Sequence, residues 1–241
     1  MNLYIVVEGE QTETKVYPAW LQILVPQLHR IDDAWNLSEN SDSYYLFSAG
    51  GIPSIYKHVS NAVADINEIN ACGKGKYDYL LMCIDVEEES RQYIEQKVQE
   101  QLKLDGNELS EPTKLVIFEH KICMESWFLG NRKVYKENPQ DQDLIKYTHL
   151  YNVKENDPEL MENLESDSCA TKAQFHLRYL RLMFKERNMR YLKSNPGDVC
   201  KKGYLDKLIA RYQETKHISS FGRWYDFIVS LYHYNSSLII Q

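Results

Sequence analysis

The sequence predicts an α/β protein with a mostly parallel sheet flanked by helices and a mainly helical C-terminal region. Short runs rich in apolar and β-branched residues recur in the first half of the chain and are typical of strands buried on both faces. Longer stretches with apolar residues at helical spacing separate these runs, as crossover helices do in a parallel sheet. Beyond about residue 170, helical patterns dominate.

The first half of the chain alternates strands and helices. We predict strands at 3–7, 44–48, 77–84 and 114–118, and helices at 12–26, 52–69 and 88–104. Pro26 helps to end the first helix, Gly50-Gly51 stops the second strand, and Pro53 suits the first turn of the second helix. The polar residues 28–43 are predicted to form a loop.

The second half is predicted to contain a short helix, a connection and three longer helices. The short helix lies at 124–129, and the polar, acidic residues 131–168 are typical of a linker with one short helix at 158–164. The longer helices are predicted at 171–193, 202–213 and 221–234. We therefore divide the chain into a domain at 1–130 and, packed on it, a linker and helical region at 131–241.

Composition and cysteine spacing indicate an ordinary globular protein. Hydrophobic residues make up 43% of the 241 residues and charged residues 26%. No apolar run approaches the roughly 20 residues that cross a bilayer, and the N-terminus lacks a signal-peptide pattern. We therefore expect a cytoplasmic protein that does not bind a membrane. The five cysteines are widely spaced and support neither a disulfide framework nor a zinc knuckle.

Charge is distributed unevenly along the chain. The net charge of −7 argues against a protein that coats nucleic acid by charge alone. Residues 171–223, however, contain thirteen Lys and Arg against four Asp and Glu, so this stretch carries +9 and the remainder −16. A basic surface beside an acidic metal site suits phosphodiester chemistry. A solvated helical face is the alternative, and it is the commoner cause of such a bias.

Carboxylates follow two of the predicted strands. Glu8 comes directly after the first strand, and Asp85 and Glu87 come after the third. If these strands are neighbours in a parallel sheet, the three carboxylates meet at one edge, where ligands bind in open α/β sheets. Carboxylates a few ångströms apart repel one another unless a cation binds, and such oxygen ligands suit Mg²⁺ or Mn²⁺. An acidic start to an ordinary helix is the alternative explanation for the first motif.

The histidines and Trp127 are not interpreted as residues of the candidate site. The seven histidines, His120 among them, show no ligand pair spaced i, i+4, and we interpret them as structural or surface residues. Trp127 is interpreted as a core residue rather than as a contact.

The order of these elements resembles the TOPRIM domain, which topoisomerases, primases and several nucleases share. The resemblance covers about residues 1–130 and rests on an apolar strand with Glu8-Gly9, a strand ending in Gly50-Gly51, and a strand ending in an Asp-x-Asp-like pair. The form Glu8-Gly9-Glu10-Gln11-Thr12-Glu13, with Tyr17 shortly after, is most similar to RloB-like and OLD-like defence nucleases. In those families a TOPRIM protein commonly works with an ABC-type ATPase.

Two later elements are similar to motifs of the same relatives. Glu125-Ser126-Trp127 resembles a Glu-x-Trp element after the fourth strand, and Tyr191-Leu192-Lys193 resembles a Tyr-x-Lys element near the C-terminal end. The resemblance implies that Glu125 helps to bind a second ion and that Lys193 steadies the phosphate or the leaving oxygen. Lys202 competes with Lys193 for that role.

The resemblance also implies roles for the carboxylates after the strands. Glu8 would be a metal ligand or the general acid/base, with Glu13 supporting it, and Asp85 and Glu87 would hold Mg²⁺ or Mn²⁺. Many TOPRIM domains have Asp where this chain has Glu87, which puts the metal geometry in doubt. The neighbouring acids 88–89 are alternative ligands or ordinary members of a helix first turn.

The resemblance therefore implies a divalent-metal-dependent nuclease that hydrolyses DNA or RNA, tRNA included, as the effector of an ATPase–TOPRIM antiviral defence system. A non-catalytic subunit that binds a metal or a partner in an ATPase complex is the alternative. A receiver-like phospho-switch also places acids after strands one and three, but it needs a lysine after a later strand, where Glu119 and His120 stand. Substrate identity, oligomeric state (including a homo-oligomer) and activity of the isolated chain stay open.

Overall fold

The computed structural model describes residues 1–38, 42–73, 75–162 and 171–238, with side chains described as far as residue 231. The predicted α/β class with a parallel sheet, flanking helices and a helical C-terminal region is confirmed. The chain forms two compact units, which are described separately below. The first contains residues 1–84 and 89–119, and the second contains residues 85–88 and the described part of 120–241.

The sheet has five parallel strands in the order β2-β3-β1-β4-β5. They are Asn2–Val7 (β1), His29–Ile31 (β2), Ser43–Ser48 (β3), Tyr79–Val86 (β4) and Lys114–Lys121 (β5). β1 is buried over its whole length and is central, with Val7 opposite Ser48 of β3 on one side and opposite Cys83 of β4 on the other. The two strands predicted to carry the carboxylates are therefore direct neighbours.

Strand β2 corrects the predicted loop at 28–43. It has three residues, which are exposed or half-buried, so it lacks the apolar run by which a buried strand is recognised. Pairing with the beginning of β3 holds it at the edge of the sheet.

Three helices belong to the first unit: Glu13–Leu24 (α1), Ser54–Ala71 (α2) and Arg91–Asp105 (α3). The ends of α3 follow from local chemistry. The side chain of Ser90 accepts a hydrogen bond from the N–H of Tyr93, and Gly106 adopts the left-handed conformation that ends many helices.

Five helices belong to the described part of the second unit: Met124–Leu129 (α4), Gln142–Leu150 (α5), Lys172–Glu186 (α6), Lys202–Thr215 (α7) and Ser219–Leu238 (α8). Short 3₁₀ turns lie at Pro158–Leu160 and Gly197–Cys200. The helix predicted at 158–164 is therefore a single turn, and residues 163–164 lie outside the described part of the chain.

Two predictions for the second unit are wrong in their bounds. Helix α5 lies in the segment predicted as a linker, where Asp141 caps it and Tyr147 stacks on Phe175 with ring centroids 4.5 Å apart. Helix α6 ends at Glu186 rather than at 193, because Asn188 adopts a positive φ of 56° and the N–H of Met189 returns to the carbonyl of Phe184.

Buried aromatic side chains form much of the core of each unit. Trp20 and Tyr77 are fully buried in the first unit. In the second, Trp127 contacts Phe221 and Trp224, and its indole N–H donates to Ser220 Oγ over 2.6 Å, so its interpretation as a core residue is confirmed. Cys72, Cys83, Cys123 and Cys200 are free thiols, and Cys169 lies outside the described residues. No helix among the described residues is long and apolar enough to span a bilayer.

Candidate functional site

In the first unit, the backbone of Glu8 is fixed at the carboxyl end of β1. Its N–H donates to the carbonyl of Cys83 in β4, and its carbonyl accepts from the N–H of Gly51, each over 3.0 Å. Gly50 and Gly51 have φ values of 71° and 107°, which non-glycine residues rarely adopt. The Gly-Gly pair after β3 therefore allows this loop to meet the end of β1.

Glu13, at the start of α1, turns back toward the same strand end. Its side chain is buried, and its Oε1 accepts a hydrogen bond of 3.1 Å from the N–H of Gly9. A Cβ at position 9 would lie 2.3 Å from Oε2 of Glu13. A residue larger than glycine at position 9 would therefore displace the carboxylate from this hydrogen bond, which gives the spacing of Gly9 and Glu13 a physical reason.

In the second unit, Asp85 and His120 form a hydrogen-bonded pair. Asp85 is the penultimate residue of β4, and His120 lies near the end of β5. The imidazole Nδ1 lies 2.6 Å from Oδ1 of Asp85. The histidine is fully buried and packs edge-on against Trp127, with ring centroids 4.6 Å apart. This packing fixes the imidazole on the carboxylate.

Glu125 is a second buried carboxylate of the same unit. It lies in the first turn of α4, is 1% exposed, and accepts a hydrogen bond of 2.7 Å from the hydroxyl of Tyr191. The ammonium of Lys193 lies 3.6 Å from the same carboxylate oxygen and remains partly exposed. The Glu-x-Trp and Tyr-x-Lys elements are therefore brought together, although they are far apart in the sequence.

The surroundings of Asp85 disfavour its charged form. Its pKa is raised from 3.8 to about 8, chiefly by burial and then by the carboxylates of Glu125 and Glu87, against the opposing effects of Lys193 and a hydrogen bond from the backbone of Met124. Without a cation, a large fraction of this carboxyl keeps its proton at neutral pH.

The remaining predicted residues occupy more exposed positions. Glu87 follows β4 and is half-buried, whereas the side chains of Glu88 and Glu89 are exposed. Lys202 forms an ion pair of 2.8 Å with Asp206 on α7. Of the two competing lysines, Lys193 is the one that the structure brings to Glu125.

His120 is the site residue that the sequence analysis missed. The fourth strand was predicted to end at Phe118, but it continues to Lys121 and brings His120 to the end of β5, the strand next to β4. A prediction that extended this strand beyond Phe118 would have placed His120 on the same face as Phe118, because residues two apart in a strand share a face. Its pairing with Asp85 depends on contacts far apart in sequence.

The basic stretch at 171–223 is neutralised in part. Carboxylates of the acidic segment before it accept three of its cations, in the pairs Lys172–Glu162, Arg178–Asp143 and Lys185–Asp141. Arg211 is 1% exposed and donates to the backbone carbonyls of Val153 and Asn156. The sequence surplus of +9 therefore does not form a uniform basic surface.

The donors of the second unit suit a divalent cation. The carboxylates of Asp85 and Glu125 are hard oxygen donors, which fit Mn²⁺ and Mg²⁺ better than metals that prefer thiolates. Comparisons with protein-family models, curated proteins and solved structures give no match.

Proposed function

We propose that this protein is a divalent-metal-dependent nuclease with Mg²⁺ or Mn²⁺ bound at Asp85 and Glu125. The proposal rests on one observation above all: the Asp85–His120 pair lies in the same unit as a buried Glu125 close enough to raise the pKa of Asp85. Neighbouring carboxylates each disfavour the charged form of the other, and a bound cation stabilises both charged forms. A bound ion of this kind supplies an activated water and neutralises charge on a phosphoryl group.

The supporting residues have distinct proposed tasks. His120 holds the carboxylate of Asp85 in one orientation, as partners of metal ligands commonly do. Tyr191 does the same for Glu125. Lys193 is partly exposed and is the cation proposed to contact a phosphate oxygen of the substrate. Glu87 is proposed as an additional ligand.

Glu8 and Glu13 of the first unit keep the roles that the TOPRIM resemblance implies for them. β1 and β4 pair as far as Val7 and Cys83, and Asp85 follows Cys83 by two residues in one continuous strand. Neighbouring parallel strands carry their functional groups at one edge of a sheet. The role of Glu8 as metal ligand or general acid/base, supported by Glu13, rests on this relation and on the TOPRIM resemblance.

The biological setting is proposed from the resemblance. An RloB-like or OLD-like effector would act on DNA or RNA together with an ABC-type ATPase in antiviral defence. A non-catalytic subunit is the second candidate. It is favoured by a cavity of about 420 Å³ in the first unit, whose lining includes the exposed apolar side chains of Ile52, Tyr93 and Leu104.

Cleavage assays test the nuclease proposal. Wild type, Asp85→Asn and Glu125→Gln are incubated with plasmid, single-stranded DNA and total tRNA, in Mg²⁺, Mn²⁺ or EDTA, alone and with an ABC-type ATPase of the proposed partner class. Asp206→Asn removes an exposed carboxylate of the same unit and is the matched control. We expect wild type to cleave only when the metal is present. In Asp85→Asn and Glu125→Gln the cleavage rate should fall by more than about 100-fold, which is the upper cost of losing a residue that only supports a metal ligand. Cleavage in EDTA, or equal rates in Asp85→Asn and wild type, would contradict it. An inactive Asp85→Asn that keeps its ATPase complex separates catalysis from partner binding.

A further inference from the structure

A second cavity lies in the second unit, beside the beginning of α7. Its volume is about 490 Å³. Four basic side chains and one acidic side chain contribute to its lining: Lys133, Arg187, Lys201, Lys207 and Asp198. Together these five carry a formal charge of +3.

The cations of this cavity are not all paired with acids. Lys133 and Lys207 have no acidic partner within the part of the chain that the structure describes. Arg187 donates its Nε and Nη2 to the backbone carbonyls of Val134 and Tyr135, over 3.2 and 2.5 Å. These bonds hold the guanidinium in place without cancelling its charge. Lys201 is the exception, because it pairs with Asp198.

The beginning of α7 adds to the positive potential of the cavity. Lys201 is the N-cap and makes no side-chain capping bond, and the N–H groups of Lys202 and Gly203 have no acceptor among the described residues. A Cβ added at Gly203, which lines the cavity, would meet no atom within 4 Å. Free N–H groups and the helix dipole attract anions, and phosphate groups in particular. The helix end strengthens a site that the cavity and its cations define.

Aromatic contacts connect this cavity to Glu125 within the same unit. Tyr204 lines the cavity and donates its hydroxyl to the carbonyl of Phe128 over 2.8 Å. Phe128 contacts Tyr191, whose ring centroid is 5.9 Å away, and Tyr191 holds Glu125. A phosphate in the cavity would therefore be held at a fixed distance from Glu125 and Lys193.

We propose that the cavity lined by Lys133, Arg187 and Lys207 binds a backbone phosphate of the nucleic-acid substrate, away from the bond that is cut. Assignment of the ligand to nucleic acid rests on the proposed function, whereas phosphate binding rests on the cavity and its charges. Contacts of this kind position a strand without reading its sequence.

Binding measurements in EDTA test this proposal without requiring cleavage. Fluorescence anisotropy of a labelled single-stranded oligonucleotide compares wild type with Lys133→Gln/Lys207→Gln. Lys146→Gln/Arg181→Gln is the matched control, since it removes two exposed cations of the same unit that do not line the cavity. We expect the cavity variant to raise Kd about 10-fold and to reduce the slope of log K against log salt by about 1.4, or 0.7 for each lost contact. The control is expected to change Kd less than about twofold.

The two proposals fail in different ways. Equal weakening by both double variants would show binding by diffuse charge and would overturn the cavity proposal, even in a protein that cleaves nucleic acid. Specific weakening by the cavity variant in a protein that cuts no substrate would support the cavity and contradict the nuclease. Binding of inorganic phosphate in calorimetry that is lost in the cavity variant, with no oligonucleotide binding by wild type, would overturn the nucleic-acid assignment. Equal thermal unfolding of the two double variants confirms that both are folded.

Discussion

Replacement of Tyr191 by phenylalanine tests whether a strong hydrogen bond holds the carboxylate of Glu125. Tyr191 is 2% exposed and Glu125 is 1% exposed, and their oxygens are 2.7 Å apart. A buried hydrogen bond to a charged group contributes about 1.5–3 kcal/mol to the free energy of unfolding. Phenylalanine keeps the ring contacts with Phe128 and Phe184, so no cavity cost is added. We expect Tyr191→Phe to lower the free energy of unfolding by about 2 kcal/mol.

Tyr204→Phe is the matched control for this variant. Tyr204 is also buried and belongs to the same unit, but its hydroxyl donates to the neutral carbonyl of Phe128. Loss of such a bond costs about 1 kcal/mol. Urea unfolding in EDTA, followed by circular dichroism, measures both variants. The reasoning is refuted if Tyr191→Phe costs no more than Tyr204→Phe, because the hydroxyl of Tyr191 would then hold Glu125 no more strongly than Tyr204 holds a backbone carbonyl.

Three further predictions concern stability. Burial lowers the pKa of His176 to about 4, so the unfolded state binds more protons than the folded state between about pH 4 and 6.5. The free energy of unfolding of wild type should therefore fall by up to about 3 kcal/mol as the pH falls through that range. Urea titrations at several pH values should show a flatter dependence in His176→Gln. Gly222→Ala places a Cβ 2.1 Å from the ring of Tyr212 and should lower the free energy of unfolding by about 1–3 kcal/mol, seen as a lower melting temperature. Gly203→Ala meets open space in a helix and should raise the free energy of unfolding by about 0.5–1 kcal/mol. Equal melting temperatures of the two variants would contradict the packing argument. Arg211→Lys should lower the free energy of unfolding by about 1.5–3 kcal/mol, since a lysine cannot reproduce the guanidinium bonds to two backbone carbonyls. An unchanged midpoint of urea unfolding would contradict this prediction.

Buried strands were the most predictable part of the fold. β1 and β4 are apolar over most of their length, and burial between neighbouring strands and helices demands such runs. β2 was missed because its pairing with β3, rather than its own composition, makes it a strand. α5 was missed because the packing of Leu144 and Tyr147 compensates for an otherwise polar sequence.

The candidate site was predictable where chemistry follows a strand directly. Asp85 ends a buried run, so its position at the edge of the sheet could be inferred from sequence. His120 was not recognised because its role depends on a hydrogen bond to a residue 35 positions away. The contact of Lys193 with Glu125 is also long-range, and only the resemblance of short motifs pointed to it. Net charge was the least informative signal, since acids from an adjoining segment pair with three of the cations.

The most direct test of the central claim is Mn²⁺ binding by isothermal titration calorimetry. Protein stripped with EDTA is dialysed and titrated as wild type, Asp85→Asn, Glu125→Gln and the control Asp206→Asn. We predict saturable binding by wild type and Asp206→Asn, and loss of binding by the two site variants. Equal affinity of wild type and Asp85→Asn, or no binding by wild type, would contradict a metal centre at this position.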